Sequence, residues 1–595
     1  MDAGMIASVN DFRNNTLNSA RAAFNTAFAA DQAASRAASD SARAAARAEK
    51  YGDDAPRGDS VNISDAARRF FSEYASEAPS GRDAPGASMR AMTAFGTLVE
   101  VEARAAAGGR AIAAGFLRAE EGEGAFRLRL ASVHTQAEDV LMTYTARFTH
   151  ADGEIQEFVL DGNTVFRELD DGTIVRGVSG GSHLTGSDGR DILIALEDET
   201  TVDGGEGDDI IFNMGRKATL RGGDGNDVIT SLGDETQVEG GAGDDAIAML
   251  HDTIRLSSLG REDAAKQADR AKAGLDYRPY ASQQLTVDGG DGNDYITVKP
   301  ELYQSLIRGG DGADTIRLYN ATASTIDGGD GSDSIIGNDL FRSTVLGGAG
   351  NDMILFRDLY KSSISGGDGD DWIEIRDAAS SALSGGDGND VIIGRDVKDT
   401  RVDAGNGHDV ISLESARGKS IISGGSGDDV IFVNTAGRDS QIGGGDGNDV
   451  IITGSAGLVD GGAGDDILVV GGAHTVTGGA GNDSIVVGIL EEDGLLDGGD
   501  GDDVIHVDQA YGGSLVSGGA GNDVISVDVL GSSRETVENG CFHSSPVGAV
   551  IDGGDGDDVI RVNHAYAGSL VYGGTGKNDL GGVNLPAGSR LNVRA

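Results

Sequence analysis

The sequence predicts a mostly β protein: a right-handed parallel β-roll or β-solenoid with glycine–aspartate loops on one edge, preceded by an α-helical N-terminal segment and a small antiparallel β region. Three observations carry this expectation. The first is a loop of the form GGxGxD, seen in full at Gly222-Gly223-Asp224-Gly225-Asn226-Asp227, that returns about nineteen times to the C-terminal end of the chain, mostly every seventeen to twenty residues; a fixed period of that size marks a solenoid. The second is a short alternating run after each loop, such as Val228-Ile229 or Val504-Ile505-His506-Val507, which reads as a strand. The third is an apolar residue two positions before each loop, among them Val202, Leu220, Val238, Val287, Ile307, Ile326, Val402 and Val516. One repeat is therefore loop, strand, second turn, strand, and return.

The loop has a definite chemistry. Paired glycines let the backbone reach positive φ without a Cβ clash and turn carbonyls to one side, while the sixth position adds a carboxylate. Carbonyl and carboxylate oxygens are the ligands Ca²⁺ takes, six to eight at a time. One loop supplies too few, so each ion is expected between two stacked loops. The sixth-position candidates are Asp191, Asp209, Asp227, Asp245, Asp294, Asp314, Asp333, Asp352, Asp371, Asp390, Asp409, Asp429, Asp449, Asp466, Asp483, Asp503, Asp523 and Asp558. The last copy carries Asn578 there and reads as a decayed coil.

The loop followed by a large apolar residue resembles the hemolysin-type calcium-binding, or RTX, repeat, over residues 185–579. The resemblance implies Ca²⁺ held between stacked turns, a bacterial protein exported without an N-terminal signal peptide by a type I route, and folding on meeting extracellular calcium. Members of that family typically carry loops on both edges of the roll at nine-residue spacing. Here the loop comes once per coil, with an ordinary variable turn such as residues 214–217 opposite, so ions are expected on one edge only, about eighteen per chain.

Charge supports the same reading. The formal charge is −50, which excludes general nucleic-acid binding and disfavours anionic membrane surfaces; about eighteen divalent cations would bring it to roughly −14. The single cysteine, Cys541, rules out an intrachain disulfide. The first fifteen residues lack a basic stretch followed by an apolar run, and no window approaches the length of a transmembrane helix.

Residues 1–88 are expected to be helical. Ile6, Val9, Phe12, Leu17, Phe24 and Phe28 fall roughly on one stripe, suited either to packing on the chain's own neighbours or to self-association; a second short helix is expected at 64–75. Residues 89–180 alternate in three runs, 126–130, 141–148 and 155–160, expected as antiparallel strands capping the first edge of the solenoid. The solenoid spans 181–580, with insertions at 251–284, holding a charged helix at 261–272, and at 531–550, expected to be loop-like; 581–595 is a tail. Arg57-Gly58-Asp59 is too short a match to mean adhesion.

Neither HExxH nor GxSxG occurs, and the nine histidines are scattered, so no enzyme is expected. The sequence favours a calcium-binding extracellular structural or surface-interaction protein, with calcium, a cell-surface or extracellular polymer, and a second copy through the N-terminal helices as partners. Alternatives are an ice-binding solenoid, disfavoured because the third loop position is usually Asp or Ala rather than Thr, and a polysaccharide-active enzyme.

Overall fold

A computed structural model describes residues 12–30, 32–34 and 37, the strands within 88–178 as backbone, and residues 183–195, 198–213, 215–249, 281–299, 301–538, 541–581 and 590–592. The fold is mostly β, a parallel β-solenoid. It divides into two compact units, one of residues 30–339 and 343–346, the other of residues 1–29, 340–342 and 347–595. Among the described residues no helix is long and apolar enough to cross a membrane.

In the unit of residues 30–339 each coil contributes a strand before the loop and one after it. Thr219–Asp224 pairs in parallel with Thr201–Glu206 and Gln237–Ala242, stacking Leu220 on Val202 and Val238. Val228–Ser231 pairs with Ile210–Asn213 and Ala246–Met249, stacking Ile229 on Ile211 and Ile247. These are the two apolar positions the sequence marks, and all are buried. Because side chains alternate across a strand, one inward residue per short strand is enough to build two facing aliphatic ranks, and β-branched residues suit that surface.

Residues 251–280 lie outside the described set, and with them the charged helix expected at 261–272, yet Gly241 pairs directly with Gly290, so the coils on either side stack as if adjacent. At the start, Ile174–Val178 pairs in parallel with Asp191–Ala195 and antiparallel with Val165–Glu168. That hairpin, rather than the antiparallel sheet of Gly124–Gln136, Asp139–His150 and Ile155–Leu160, covers the first solenoid strand. The helix expected at 64–75 also lies outside the described residues.

In the unit that holds residues 347–595 the strands after the loop are longer, as in Trp372–Ala379, and bury a second rank: Ile375, Gly394, Leu413 and Val433 in register. Gly394 is glycine because a Cβ there would meet Leu413 and Ile375. The second insertion is an antiparallel hairpin, Ser532–Glu538 with Cys541–Val547, which corrects the loop-like expectation: Val537 pairs with Phe542 across a tight connection. Around it, Leu515–Ala520 pairs directly with Val550–Asp555.

The N-terminal helix, α1 (residues 12–30), lies along the outward face of the strands after the loop, residues 12–29 of it within this unit. Phe24 packs between Trp372 and Val391, with Ala20, Phe28, Met353, Leu355, Ile393 and Val410 around them. The Phe24 and Trp372 rings are 5.6 Å apart, the Arg21 guanidinium lies 4.9 Å over Trp372, and Phe12 meets Phe432 at 5.8 Å. Arg13 Nε donates to Ser412 Oγ at 2.9 Å. Of the stripe legible in the sequence, Phe12, Phe24 and Phe28 pack on the chain's own solenoid, whose outward residues here are apolar to match, while Ile6 and Val9 lie outside the described residues.

Trp372 is the only tryptophan, so it reports on this contact alone. Phe24→Asp buries a charge against it and should detach α1. The expected result is a red-shifted tryptophan emission and faster proteolysis at Arg13 and Arg21, with the far-ultraviolet β signal retained; unchanged emission would contradict the packing.

Candidate metal centre

Each loop position has its own steric reason. The second and fourth glycines hold positive φ, 114° at Gly223 and 141° at Gly225, the region only glycine enters freely. The first glycine does not. It is required instead by crowding: a Cβ on Gly222 would collide with Asp227 Oδ2 and with the carbonyl oxygen of Gly240 in the next coil, and the same pair of oxygens recurs at Gly309, Gly366, Gly444 and Gly498. A carboxylate oxygen of one coil and a carbonyl oxygen of the next therefore converge at every such step. The expectation that the paired glycines both supply positive φ is corrected: the conformational glycines are the second and fourth, and the first clears space.

The sixth-position aspartates form a head-to-tail ladder. The amide of Asp209 donates to Asp227 Oδ1 at 2.7 Å, that of Asp227 to Asp245 Oδ1, and onward through Asp294, Asp314 and Asp333. In the other unit the ladder runs from Asp352 through Asp371, Asp390, Asp409, Asp429, Asp449, Asp466, Asp483, Asp503 and Asp523 to Asp558. All are buried. One oxygen is thus committed to the backbone. The other, Oδ2, is buried without a hydrogen-bond partner in Asp209, Asp227, Asp245, Asp314, Asp371, Asp390, Asp409, Asp429, Asp449, Asp466, Asp483, Asp503, Asp523 and Asp558.

The two ends of the array depart from this pattern. Asp191 turns Oδ2 to Ser187, which replaces the second glycine. Asn578 accepts from the Asp558 amide through Oδ1 at 2.7 Å, but presents an amide nitrogen toward Gly573 where other loops present a carboxylate oxygen. The ladder continues; the ligand does not. Ala404 is the one first-position residue with a Cβ, and it is fully buried.

Burial and the neighbouring aspartates of the ladder push these carboxyls up, to about 9 in Asp209, Asp371 and Asp390, about 7 in Asp429 and Asp503, and about 6 in Asp483 and Asp523. Desolvation is the largest cause and the amide from the preceding coil opposes it. A stack of buried carboxylates needs compensation. The donor set is oxygen only, carboxylate plus carbonyl from successive coils, which fits a hard cation such as Ca²⁺, held by oxygens at about 2.3–2.6 Å, rather than a softer metal wanting nitrogen or sulfur.

Two further ladders were not read from the sequence. The fifth loop position alternates Asp and Asn: Asp208, Asn226, Asp244 and Asn293 in one unit, and Asp428, Asn448, Asp465, Asn482, Asp502, Asn522 and Asp557 in the other, each amide donating to the side chain of the preceding coil. His408 stands in this column, its Nδ1 accepting from the Asp428 amide at 2.9 Å. On the opposite edge, one residue in coils such as those of Lys361, Ser380 and Asp399 takes φ of 50–52°, and a buried hydroxyl at the next position accepts the amide of the previous coil, as Ser324 does from Ser305, Ser381 from Ser362 and Ser420 from Thr400. The signals were present, as Asp/Asn alternation and as Ser or Thr four residues before the first glycine. Separately, ligand atoms of His506, Asp508 and Asp528 lie within 4.8 Å of one another on the outward face; the set is more exposed, and none of its oxygens is among the buried unpaired ones.

A carboxyl with a raised folded-state pKa binds its proton more tightly folded than unfolded, so it favours folding of the metal-free chain at low pH, and that contribution is lost as pH rises through the folded value. With ordinary values near 3.8 and raised values from about 6 to about 9, the window runs from roughly pH 4 to pH 9. In excess chelator the β signal should be stronger at pH 5 than at pH 8, and calcium should narrow the difference. Equal folding at both pH values without metal would contradict the ladder's electrostatics.

The RTX calcium-binding nonapeptide repeat (4 copies) family model matches residues 176–212, 218–247, 286–298, 320–339, 495–509, 511–528 and 550–563. Residues 352–490, outside those segments, carry the same aspartate ladder. No curated protein matches the chain. Repeat motif, solenoid and oxygen ladder converge on one assignment: the chain carries RTX-type calcium-binding nonapeptide repeats on a parallel β-solenoid.

Proposed function

We propose that the protein is a non-enzymatic extracellular scaffold whose solenoid folds on binding Ca²⁺ and presents a stiff surface to a cell-surface or extracellular polymer. The observation that carries this reading is the rank of buried, unpaired aspartate oxygens. A solenoid this thin has few inward side chains per coil, and without cations its buried carboxylates stack at strand spacing, about 4.8 Å apart. A ligand that binds only the folded chain stabilises it by about 2.7 kcal/mol per site at a hundredfold excess over Kd, and the contribution accumulates along the array. Millimolar extracellular calcium would keep such a chain folded and export would precede folding, in keeping with the RTX repeats.

One ion per gap between successive loops gives about eighteen ions per chain, fewer where Ala404 fills the cradle or Asn578 replaces the carboxylate. In excess chelator at neutral pH the circular dichroism should show little β structure, rising cooperatively on calcium addition; a spectrum already rich in β structure and indifferent to calcium would refute coupled folding. Metal analysis of the dialysed, loaded chain should return a count near eighteen. About thirty-six ions, or only a handful, would overturn the one-edge reading.

Asp390→Asn keeps the ladder acceptor but removes the unpaired carboxylate oxygen. It should cost the ions of the two gaps it borders, leave the remaining gaps filled, and raise the calcium midpoint of folding. Asn578→Asp should do the opposite, adding one ion at the C-terminal gap. Identical stoichiometry in both variants would remove the sixth-position side chain from the ligand set.

A further inference from the structure

Helix α1 covers only part of an apolar stripe. The outward positions of the strands after the loops form two adjacent columns, one position and three positions beyond the sixth-place aspartate. In the covered coils these hold Trp372, Val391, Val410 and Phe432 among others, in contact with α1 or its neighbours. The columns remain apolar for two coils more, as Val450 and Ile452, then Ile467 and Val469, in register with Val430 and Phe432. Beyond them polar residues enter, Ser484, His506 and Ser526. Ile467 is 47% exposed, Val450 and Val469 are half-buried and Ile452 is buried, while Phe12, the first described apolar residue of α1, is 45% exposed at the margin of the covered region.

The helix crosses the coils at a rate that can be read off. Phe24 sits on Trp372 and Phe12 on Phe432, so twelve residues, about 18 Å of helix, span three coil steps, about 14 Å; moving toward the N-terminus moves toward later coils. The residues preceding α1 are Met5-Ile6-Ala7-Ser8-Val9-Asn10-Asp11. Ile6 and Val9 are in helical phase with Arg13, Leu17, Ala20 and Phe24, the partly or fully buried side of α1. Seven residues at helical rise reach about 10 Å, the span of these two coils.

We propose that the segment from Met5 to Asp11 of the same chain docks on the stripe formed by Val450, Ile467 and Val469, with Val9 over the first of these coils and Ile6 over the second. Continuity with the α1 interface, matching apolar phase and matching length select this occupant over a second copy. The docked segment would tie the start of the chain to coils that lie more than four hundred residues away in sequence, and together with α1 would clamp the six coils of Trp372, Val391, Val410, Val430, Val450 and Ile467 from outside.

The test uses the full calcium-loaded chain with Cys541→Ser. Ile6→Cys with Ile467→Cys is treated with a short bis-maleimide, beside a control pair, Arg13→Cys with Ser412→Cys, across the contact already described. The expected result is a cross-link within one chain in both pairs, most of the protein running as a compact monomer. A cross-linked dimer from the Ile6/Ile467 pair would give the stripe to a second copy, and reaction of the control alone would leave it open; either overturns the proposal. Should neither pair react, dye binding decides: Ile6→Asp with Val9→Asp should raise the fluorescence of an apolar-surface dye severalfold relative to the parent chain, and no rise overturns the docking.

Discussion

Everything in this molecule depends on one carboxylate doing two jobs. Along both units the sixth-position aspartates give Oδ1 to the amide of the preceding coil, a bond of 2.7 to 3.0 Å, and in coils such as those of Asp227, Asp371, Asp390 and Asp523 the carboxylate is thereby fixed with Oδ2 buried and unpaired. The hydrogen bond sets the register of the loops, and the register makes the ligand. A loop that slipped by one residue would lose both at once, because the amide, the carboxylate and the crowded first glycine are set within six residues. Metal binding and coil stacking are therefore one interaction seen from two sides.

The architecture away from the loop edge is economical. Two facing aliphatic ranks close the interior, and the turn opposite the loops is held by hydroxyls that accept amides from the previous coil. Buried backbone donors must be satisfied, and a Ser or Thr does so where a tight turn cannot present a carbonyl. Both edges use one device, a side-chain oxygen accepting an amide one coil away, but only the acidic edge leaves an oxygen over. That asymmetry agrees with the single GGxGxD motif per coil.

Most of the fold was legible because the period is strong. The apolar residues at 220 and 229 and their equivalents point inward as alternation demands, and the loops stack in register even across the insertion between Gly241 and Gly290. What escaped had identifiable reasons. The role of the first glycine depends on oxygens from Asp227 and Gly240, and the contact with Gly240 comes from another coil, which a single loop does not display. The helix could be recognised, but not what it covers, since Trp372, Val391 and Phe432 are far from Phe12 and Phe24 in sequence and become one surface only when coils stack. The hairpin at 532–547 was hidden by its serines, Ser532, Ser533, Ser544 and Ser545, and by Pro546, which give it the composition of a loop.

The alternating column at the fifth loop position constrains how such a chain can change length. Asn side chains donate to the aspartate of the preceding coil, as Asn482 does to Asp465 and Asn522 to Asp502, so no aspartate in this column of either unit faces another across one coil. Like charges at strand spacing repel. A coil gained or lost singly would bring two aspartates, or two asparagines, into register; a pair of coils would not. In one unit Asp and Asn keep one phase through Asn351, Asp370 and Asn389 and the opposite phase from Asp428 onward, and His408 stands where the phase turns over. A change of length by pairs of coils keeps Asp facing Asn along this column, whereas a single coil is accommodated only where a residue of another kind, such as His408, Ala313 or Ser332, takes the fifth position.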